Sequence, residues 1–173
     1  SPRGIKSANI LAQKIKNIVL DALFAPICLW CKTTLDEKEK TVGLCTPCRS
    51  RVSIYDTYLC ATCGARMPEN KKICHQNTPF ILAAATSYTN EIVKELIWNL
   101  KYKHMTAAAI PLANLISSHI ALVPLPKTES ILIPMPLHPR RQRERGYNQS
   151  ELIASHIAQE HAITYAPNIL VRI

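Results

Sequence analysis

Seven cysteines give this sequence its clearest chemistry, and all of them lie between Cys28 and Cys74. Six of them form three Cys-x-x-Cys pairs, the spacing that lets two thiolates bind one tetrahedral metal ion. Disulfide bonds are the alternative, but the odd number of cysteines and the lack of an export signal argue against them. The spacing therefore predicts zinc, held by a first set, Cys28, Cys31, Cys45 and Cys48, and by a second set, Cys60, Cys63 and Cys74.

The second set lacks a fourth cysteine, because Asn77 stands where a matching pair would place one. His75 is the nearest replacement for the missing ligand. The alternatives are that His104 or a water molecule is the fourth ligand, or that this set binds no metal. We expect one or two zinc ions with a structural role, because a closed set of protein ligands leaves no coordination position for a substrate. Metal binding would also supply folding free energy to a segment with few apolar residues.

A second group of residues is cationic and extends from His138 to Arg145. Its four guanidinium groups suit phosphate oxygens, which arginine binds in a bidentate manner. The segment follows an apolar stretch at 131–136 that predicts a buried strand, and it precedes a helix predicted to begin near Asn148. The pattern predicts an anion-binding loop at the carboxyl end of a strand, where open α/β sheets bind ligands. A solvated basic loop is the alternative. The candidate residues are His138, Arg140, Arg141, Arg143 and Arg145, with Lys101 and Lys103 as further cations.

Apolar periodicity predicts the elements that position these groups. Helices are expected at about 7–23, from about 90 to the cluster at 101–104, and at about 106–121, and a strand is expected at 80–88. The predicted organisation is an amphipathic leader helix (1–24), a double zinc ribbon (25–78) and an α/β domain (79–173).

Composition narrows the classes of protein and partner. Hydrophobic residues make up 47% of the 173 residues, which excludes a disordered chain. The net charge of +9 favours an anionic partner such as nucleic acid. No apolar stretch is long enough to span a bilayer, so we expect a cytoplasmic protein.

One segment of the sequence resembles a family signature nearly residue for residue. It extends from Ile133 to Ala154 and has the sequence Ile-Pro-Met-Pro-Leu-His-Pro-Arg-Arg-Gln-Arg-Glu-Arg-Gly-Tyr-Asn-Gln-Ser-Glu-Leu-Ile-Ala. The family is the ComF family of competence-associated proteins that are similar to phosphoribosyltransferases. Its members carry an amino-terminal double zinc ribbon, then a tract similar to Glu95–Lys103, then the arginine motif. This chain has the same features in the same order, and the resemblance covers about residues 20–173.

The resemblance implies a type I phosphoribosyltransferase fold, an α/β domain with a central parallel sheet that uses phosphoribosyl pyrophosphate and magnesium where it is active. The four arginines would then fall where related enzymes hold pyrophosphate or move a flexible loop over it. The family's acidic pair and its Thr-Thr-Gly-type loop would lie downstream of this motif. This chain ends at Ile173 without them, so we expect an incomplete domain that is inactive as a phosphoribosyltransferase.

Three functions remain open from the sequence. The first is handling of single-stranded DNA during natural transformation, with competence proteins such as a helicase or a DNA-processing protein as further partners. The second is phosphoribosyl transfer to an unknown acceptor. The third is a zinc-stapled scaffold that docks competence proteins. Trp98, Tyr102 and Tyr147 lie near basic residues in the sequence, and aromatic side chains of this kind would favour DNA by stacking on bases.

Overall fold

The computed structural model describes residues 25–67, 74–75, 80–123 and 130–172. The predicted leader helix at 7–23 lies outside these residues. None of the helices within the described ranges combines the length and apolarity of a membrane span. The helices are α1 (Glu37–Lys40), α2 (Thr46–Ser50), α3 (Glu91–Tyr102), α4 (Ala109–Leu122), α5 (Pro139–Arg145) and α6 (Gln149–His161), and the strands are β1 (Tyr58–Leu59), β2 (Arg66–Met67), β3 (Ile131–Leu132) and β4 (Thr164–Tyr165).

Helix α3 confirms the periodicity that predicted it. Its first turn is capped by Asn90, whose side chain accepts hydrogen bonds from the backbone N–H groups of Ile92 and Val93, satisfying donors that have no partner within the helix. Ile92, Val93, Leu96 and Leu100 are buried along one face. The predicted third helix also forms, as a 3₁₀ turn at Thr106–Ala108 that leads into α4.

The apolar face of α3 packs into the same core as the first group of cysteines. This core contains Cys28, Cys45 and Cys48 together with Leu96 and Leu100, all of them buried. The amino-terminal ribbon and the helices that follow it therefore share buried surface, which ties the geometry of the cysteines to the position of α3.

A short parallel sheet lies beyond α4. Strands β3 and β4 pair in parallel, with Ile131 opposite Thr164 and Leu132 opposite Tyr165. Helices α5 and α6 form the connection between them, and α6 packs against α4 through Ala113, Ile120 and Ile157. The strand predicted at 131–136 is shorter and less buried than expected, because Pro134 and Pro136 lack the N–H groups that a longer ladder needs.

The strand predicted at 80–88 is wrong. Among the described residues of this segment, only Leu82 forms a bridge, with Leu59. The segment does run beside the ribbon, because the N–H of Tyr55 donates to the carbonyl of Ala85 at 2.8 Å and the hydroxyl of Thr86 donates to the carbonyl of Ser53 at 2.8 Å. Its small alanines provide little of the cross-strand side-chain packing that stabilises a ladder.

The loop predicted at 138–145 is also wrong, because these residues form helix α5. His138 caps the helix, Pro139 is its first residue, and Gly146 ends it with φ of 76°. Proline at the first position and a left-handed glycine after the last are the ordinary boundaries of a helix. The arginines therefore project from a helix and not from a flexible loop.

Candidate metal centres and the arginine helix

The first cysteine cluster brings together the four residues that the sequence predicted. The sulfur atoms of Cys28, Cys31, Cys45 and Cys48 all lie within 4.8 Å of one another, and the Cys31 and Cys45 sulfurs are 3.5 Å apart. In a tetrahedral site with Zn–S bonds of about 2.3 Å, the sulfurs are separated by about 3.8 Å. The cluster therefore suits a zinc ion, which would hold its four ligands in a closed shell.

A tight turn builds the first half of this cluster. Lys32, the residue after the second cysteine, has a left-handed φ of 64°, and its N–H donates to the carbonyl of Cys28 at 3.0 Å. The N–H of Cys28 in turn donates to the carbonyl of Thr33 at 2.8 Å. This reciprocal pair of hydrogen bonds closes the turn and directs both thiols to the same side.

A helix start builds the second half. Cys45 occupies the N-cap position of α2, and Cys48 lies one turn further along. The carboxylate of Glu39 fixes this start, because it accepts from the backbone N–H of Thr46 at 2.6 Å and from its hydroxyl at 2.8 Å. These two hydrogen bonds hold the pKa of Glu39 below its usual range, and the one from the backbone N–H has the larger effect.

The thiols of the first cluster differ in acidity. A hydrogen bond with the hydroxyl of Thr33 is the main cause that lowers the pKa of Cys31 to about 6. Burial is the main cause that raises the pKa values of Cys45 and Cys48. A metal ion removes the need for protons on any of these sulfurs, since thiolates are the binding form.

The second cluster repeats the turn of the first. Gly64, at the position equivalent to Lys32, has φ of 69°, and its N–H donates to the carbonyl of Cys60 at 2.8 Å. The N–H of Cys60 donates to the carbonyl of Ala65 at 2.9 Å, as that of Cys28 does to Thr33. Strands β1 and β2 flank this turn as an antiparallel pair.

His75 supplies a fourth donor to this second cluster. The candidate ligand atoms of Cys60, Cys63, Cys74 and His75 lie within 4.8 Å of one another, and His75 Nδ1 is 3.3 Å from the sulfur of Cys60. The alternative ligand, His104, lies against the carbonyl of Arg145, with Nδ1 at 3.1 Å. The arrangement suits zinc with three sulfur ligands and one nitrogen ligand.

The second cluster is more open than the first. Cys60 is buried, whereas Cys63, Cys74 and His75 are exposed. Hydrogen bonds from the backbone N–H of Cys63 and neighbouring groups lower the pKa of Cys60 to about 6, and a hydrogen bond with Cys63 is the main cause that raises the pKa of Cys74. In neither cluster does the full set of protein donors leave an open position of the kind that catalytic zinc requires.

Helix α5 carries most of the predicted anion site. The Nδ1 atom of His138 accepts from the backbone N–H of Arg140 at 3.2 Å, so this histidine is occupied as a helix cap. Arg140 and Arg141 are 79% and 62% exposed, and both pair with Glu144, at 3.0 and 3.3 Å. The pairing holds the pKa of Glu144 below its usual range, and the hydrogen bond with Arg140 is the main cause. Arg143 is exposed on the same helix.

Arg145 differs from the other arginines, because it is half-buried and engaged. Its Nη1 donates to Gln149 at 2.8 Å, and its guanidinium lies 5.5 Å from the ring centre of Tyr102. The lysines do not join the arginines through any hydrogen bond or ion pair described in the structure. Lys101 is half-buried in the last turn of α3, and Lys103 pairs with Glu95 at 3.2 Å.

Three residues position α5 in ways that the sequence analysis does not predict. Glu144 follows Arg140 by four residues, the spacing of a helical ion pair, which is a signal that the sequence contained. Tyr147 donates its hydroxyl hydrogen bond to the carbonyl of Leu100 at 2.5 Å. Asn148, only 3% exposed, caps α6 and donates to the carbonyl of Met135 at 3.1 Å. The Tyr147 contact attaches the end of the arginine segment to α3, and the Asn148 contact joins it to the chain that precedes the segment.

Comparisons with known proteins find relatives of the ribbon and of most of the chain. The family model for the double zinc ribbon domain matches residues 19–77. Competence protein ComFC of Bacillus subtilis (strain 168) is 24% identical over 152 residues, which are 82% of this chain and 62% of that protein. The chain thus spans less than two thirds of the length of this relative. No solved structure matches the chain significantly.

Proposed function

We propose that this chain, which is a ComF-like protein with a double zinc ribbon, has a competence-related function in which it handles single-stranded DNA. The name of its Bacillus relative supports the competence role. The observation that carries the DNA proposal is α5, a short capped helix that presents Arg140, Arg141 and Arg143 to solvent. Guanidinium groups in this setting suit the phosphates of a nucleic acid backbone.

The electrostatics of α5 favour a polyanion that makes several contacts. The chain has a net charge of +9, which attracts nucleic acid before specific contacts form. Glu144 neutralises part of the charge of two arginines, so a single small anion gains less than a strand that spans the helix. In this proposal His138 acts as the cap of the helix, and Lys101 and Lys103 serve as outlying cations.

The zinc clusters have a structural part in this function. We propose that Cys28, Cys31, Cys45 and Cys48 hold one zinc ion and that Cys60, Cys63, Cys74 and His75 hold another. The first ion would cross-link a segment whose only strand-like pairing among the described residues is the bridge between Ile27 and Thr34, and the second a ribbon whose strands are two residues long. Each ion would supply folding free energy to its segment.

For the scaffold, we propose a phosphoribosyltransferase-like domain at 79–173 that follows a double zinc ribbon at 25–78. The parallel pairing of β3 and β4 across α5 and α6 supports an α/β domain of this type. The same arrangement favours a second candidate function, in which α5 binds the pyrophosphate end of phosphoribosyl pyrophosphate with magnesium. A competition experiment between phosphoribosyl pyrophosphate and single-stranded DNA would separate the two candidate functions.

The test is the binding of a fluorescein-labelled oligothymidine to the zinc-loaded chain, measured by fluorescence anisotropy at several salt concentrations. The variant Arg140→Ala/Arg141→Ala/Arg143→Ala removes three charges. We expect weaker binding at low salt and a slope of log affinity against log salt that is shallower by about two units, since each phosphate contact on a single strand releases about 0.7 counterion.

A matched control changes Arg49, Arg51 and Arg66 of the ribbon to alanine, which removes the same number of charges. If this variant loses affinity and the α5 variant does not, the DNA site lies on the ribbon. If the unmutated chain does not bind DNA, the zinc-stapled docking scaffold becomes the better hypothesis. Folding and zinc content of every variant are checked by circular dichroism and elemental analysis.

A further inference from the structure

Two aromatic rings lie exposed at the end of α3 that meets the arginine helix. Trp98 is 50% exposed and Tyr102 is 54% exposed. They follow each other by one helical turn, and their ring centroids are 4.5 Å apart. Large aromatic side chains are normally buried, and an exposed pair of this kind marks an interaction surface.

Arg145 connects this aromatic pair to α5. Its guanidinium lies 5.5 Å from the ring centre of Tyr102, while its backbone carbonyl contacts His104, two residues beyond Tyr102. The hydroxyl of Tyr147 also bonds to the carbonyl of Leu100. The carboxyl-terminal ends of the two helices therefore abut, and the half-buried Arg145 joins the exposed ring of Tyr102 to the helix that carries the exposed arginines.

We propose that Trp98 and Tyr102 form a stacking platform for unpaired bases, beside the phosphate contacts of α5. This inference rests on the proposed function and names the feature that would make it selective for single strands. A strand with unpaired bases can place its phosphates on guanidinium groups and its bases on aromatic rings. A duplex keeps its bases stacked inside and can use only the arginines.

The charges around the platform indicate the path of a bound DNA strand across it. Glu91, Lys94 and Glu95 line a cavity of about 270 Å³ that lies between Trp30 and Trp98. Glu95 is paired with Lys103 and Lys94 offsets Glu91, so this side lacks the excess of positive charge that four arginines and one glutamate give α5. The strand is thus expected to run from Trp98 over Tyr102 towards Arg140, Arg141 and Arg143.

The platform is tested with the full chain and two labelled probes, an oligothymidine and a duplex of mixed sequence. Trp98→Ala and Tyr102→Ala should each weaken single-strand binding by about five- to hundredfold, the range of one base–aromatic contact. Duplex affinity and the salt slope should stay unchanged, because neither variant removes a charge. Tyr88→Ala is the matched control, since Tyr88 is exposed to 60% but lies before the opposite end of α3.

Conservative variants separate stacking from general apolar contact. Trp98→Phe should retain most of the affinity, whereas Trp98→Leu should lose it, because leucine has no π-face. If Trp98→Leu binds as well as Trp98→Phe, the stacking proposal is overturned and the contact is a general apolar one. If both alanine variants bind normally while the arginine variant does not, the platform is overturned and the proposed function stands.

Intrinsic fluorescence provides an independent readout. Trp30 and Trp98 are the two tryptophans of the chain, and Trp30 packs against the core. Stacking of a base on Trp98 should quench emission when oligothymidine is added, and Trp98→Phe should abolish most of that quenching. Binding without any quenching in the unmutated chain would contradict the platform. Absence of binding in the unmutated chain would instead contradict the proposed function itself.

Discussion

The two cysteine clusters should differ sharply in what their loss does to the fold. The perturbation is Cys48→Ser, which removes one ligand from the first cluster, compared with Cys63→Ser, which removes one from the second. Cys48 is 4% exposed and belongs to the core that contains Leu96 and Leu100 of α3. Cys63 is exposed. Both changes replace one thiol by a hydroxyl, so each serves as the control for the other.

The expected magnitude follows from what the first cluster is packed against. Leu44, Leu96 and Leu100 are each 1% exposed in this shared core, and each buried side chain of this type contributes about 1.5–3 kcal/mol. Structural zinc sites contribute about 10–16 kcal/mol of folding free energy, while an ordinary domain is stable by only about 5–15 kcal/mol. Loss of the first zinc should therefore open α3, and not only the ribbon.

Hydrogen exchange measured by mass spectrometry, with zinc counted by elemental analysis, provides the assay. Cys48→Ser should lose one zinc and the slow exchange of the α3 amides. Cys63→Ser should lose one zinc at most and keep those amides protected. The reasoning would be refuted by a Cys48→Ser chain that has lost its zinc and still protects α3. Well under one zinc in the unmutated chain would refute the metal assignment for both clusters.

Two further changes test local features. Glu144→Gln should strengthen binding of oligothymidine at low salt by about two- to fivefold, the scale of an exposed ion pair, because Arg140 and Arg141 lose a competing carboxylate. The lowered pKa of Glu144 keeps that carboxylate charged at neutral pH, so an unchanged affinity at pH 7 would argue against these arginines as phosphate ligands. Gly64→Ala should destabilise the turn of the second cluster by about 1–2 kcal/mol. The change should be seen as faster release of zinc to a chelator. An added Cβ meets no atom within 4 Å there, so the cost comes from φ of 69° alone, and release at an unchanged rate would contradict it.

The sequence predicted best those features that depend on local spacing. The cysteine pairs indicated both clusters, because a two-residue spacer restricts where two thiols can point. The apolar spacing of Ile92, Val93, Leu96 and Leu100 predicted α3, because one helical face must be buried. Neither inference required knowledge of what lies across the core.

Features that depend on tertiary partners were predicted less well. Nothing local to 80–88 shows that its neighbour, β1, is only two residues long, so the apolar run predicts a strand that does not form. The helix at Pro139–Arg145 was missed for another reason. His138, Pro139 and Gly146 are signals of its boundaries. The closely spaced arginines, however, predict a loop rather than a helix.

Helix α3 explains how a structural zinc site can affect a distant binding surface. Leu96, in the middle of this helix, is buried in the core that holds the first cysteine cluster. Its last turn carries Tyr102, which lies under Arg145, and its Leu100 carbonyl receives the hydroxyl of Tyr147. Because loss of the first zinc should open α3, the rings and the contact with α5 would lose their support together. Cys48→Ser should therefore weaken binding of single-stranded DNA although no cysteine touches it, and Cys63→Ser should leave that affinity largely unchanged.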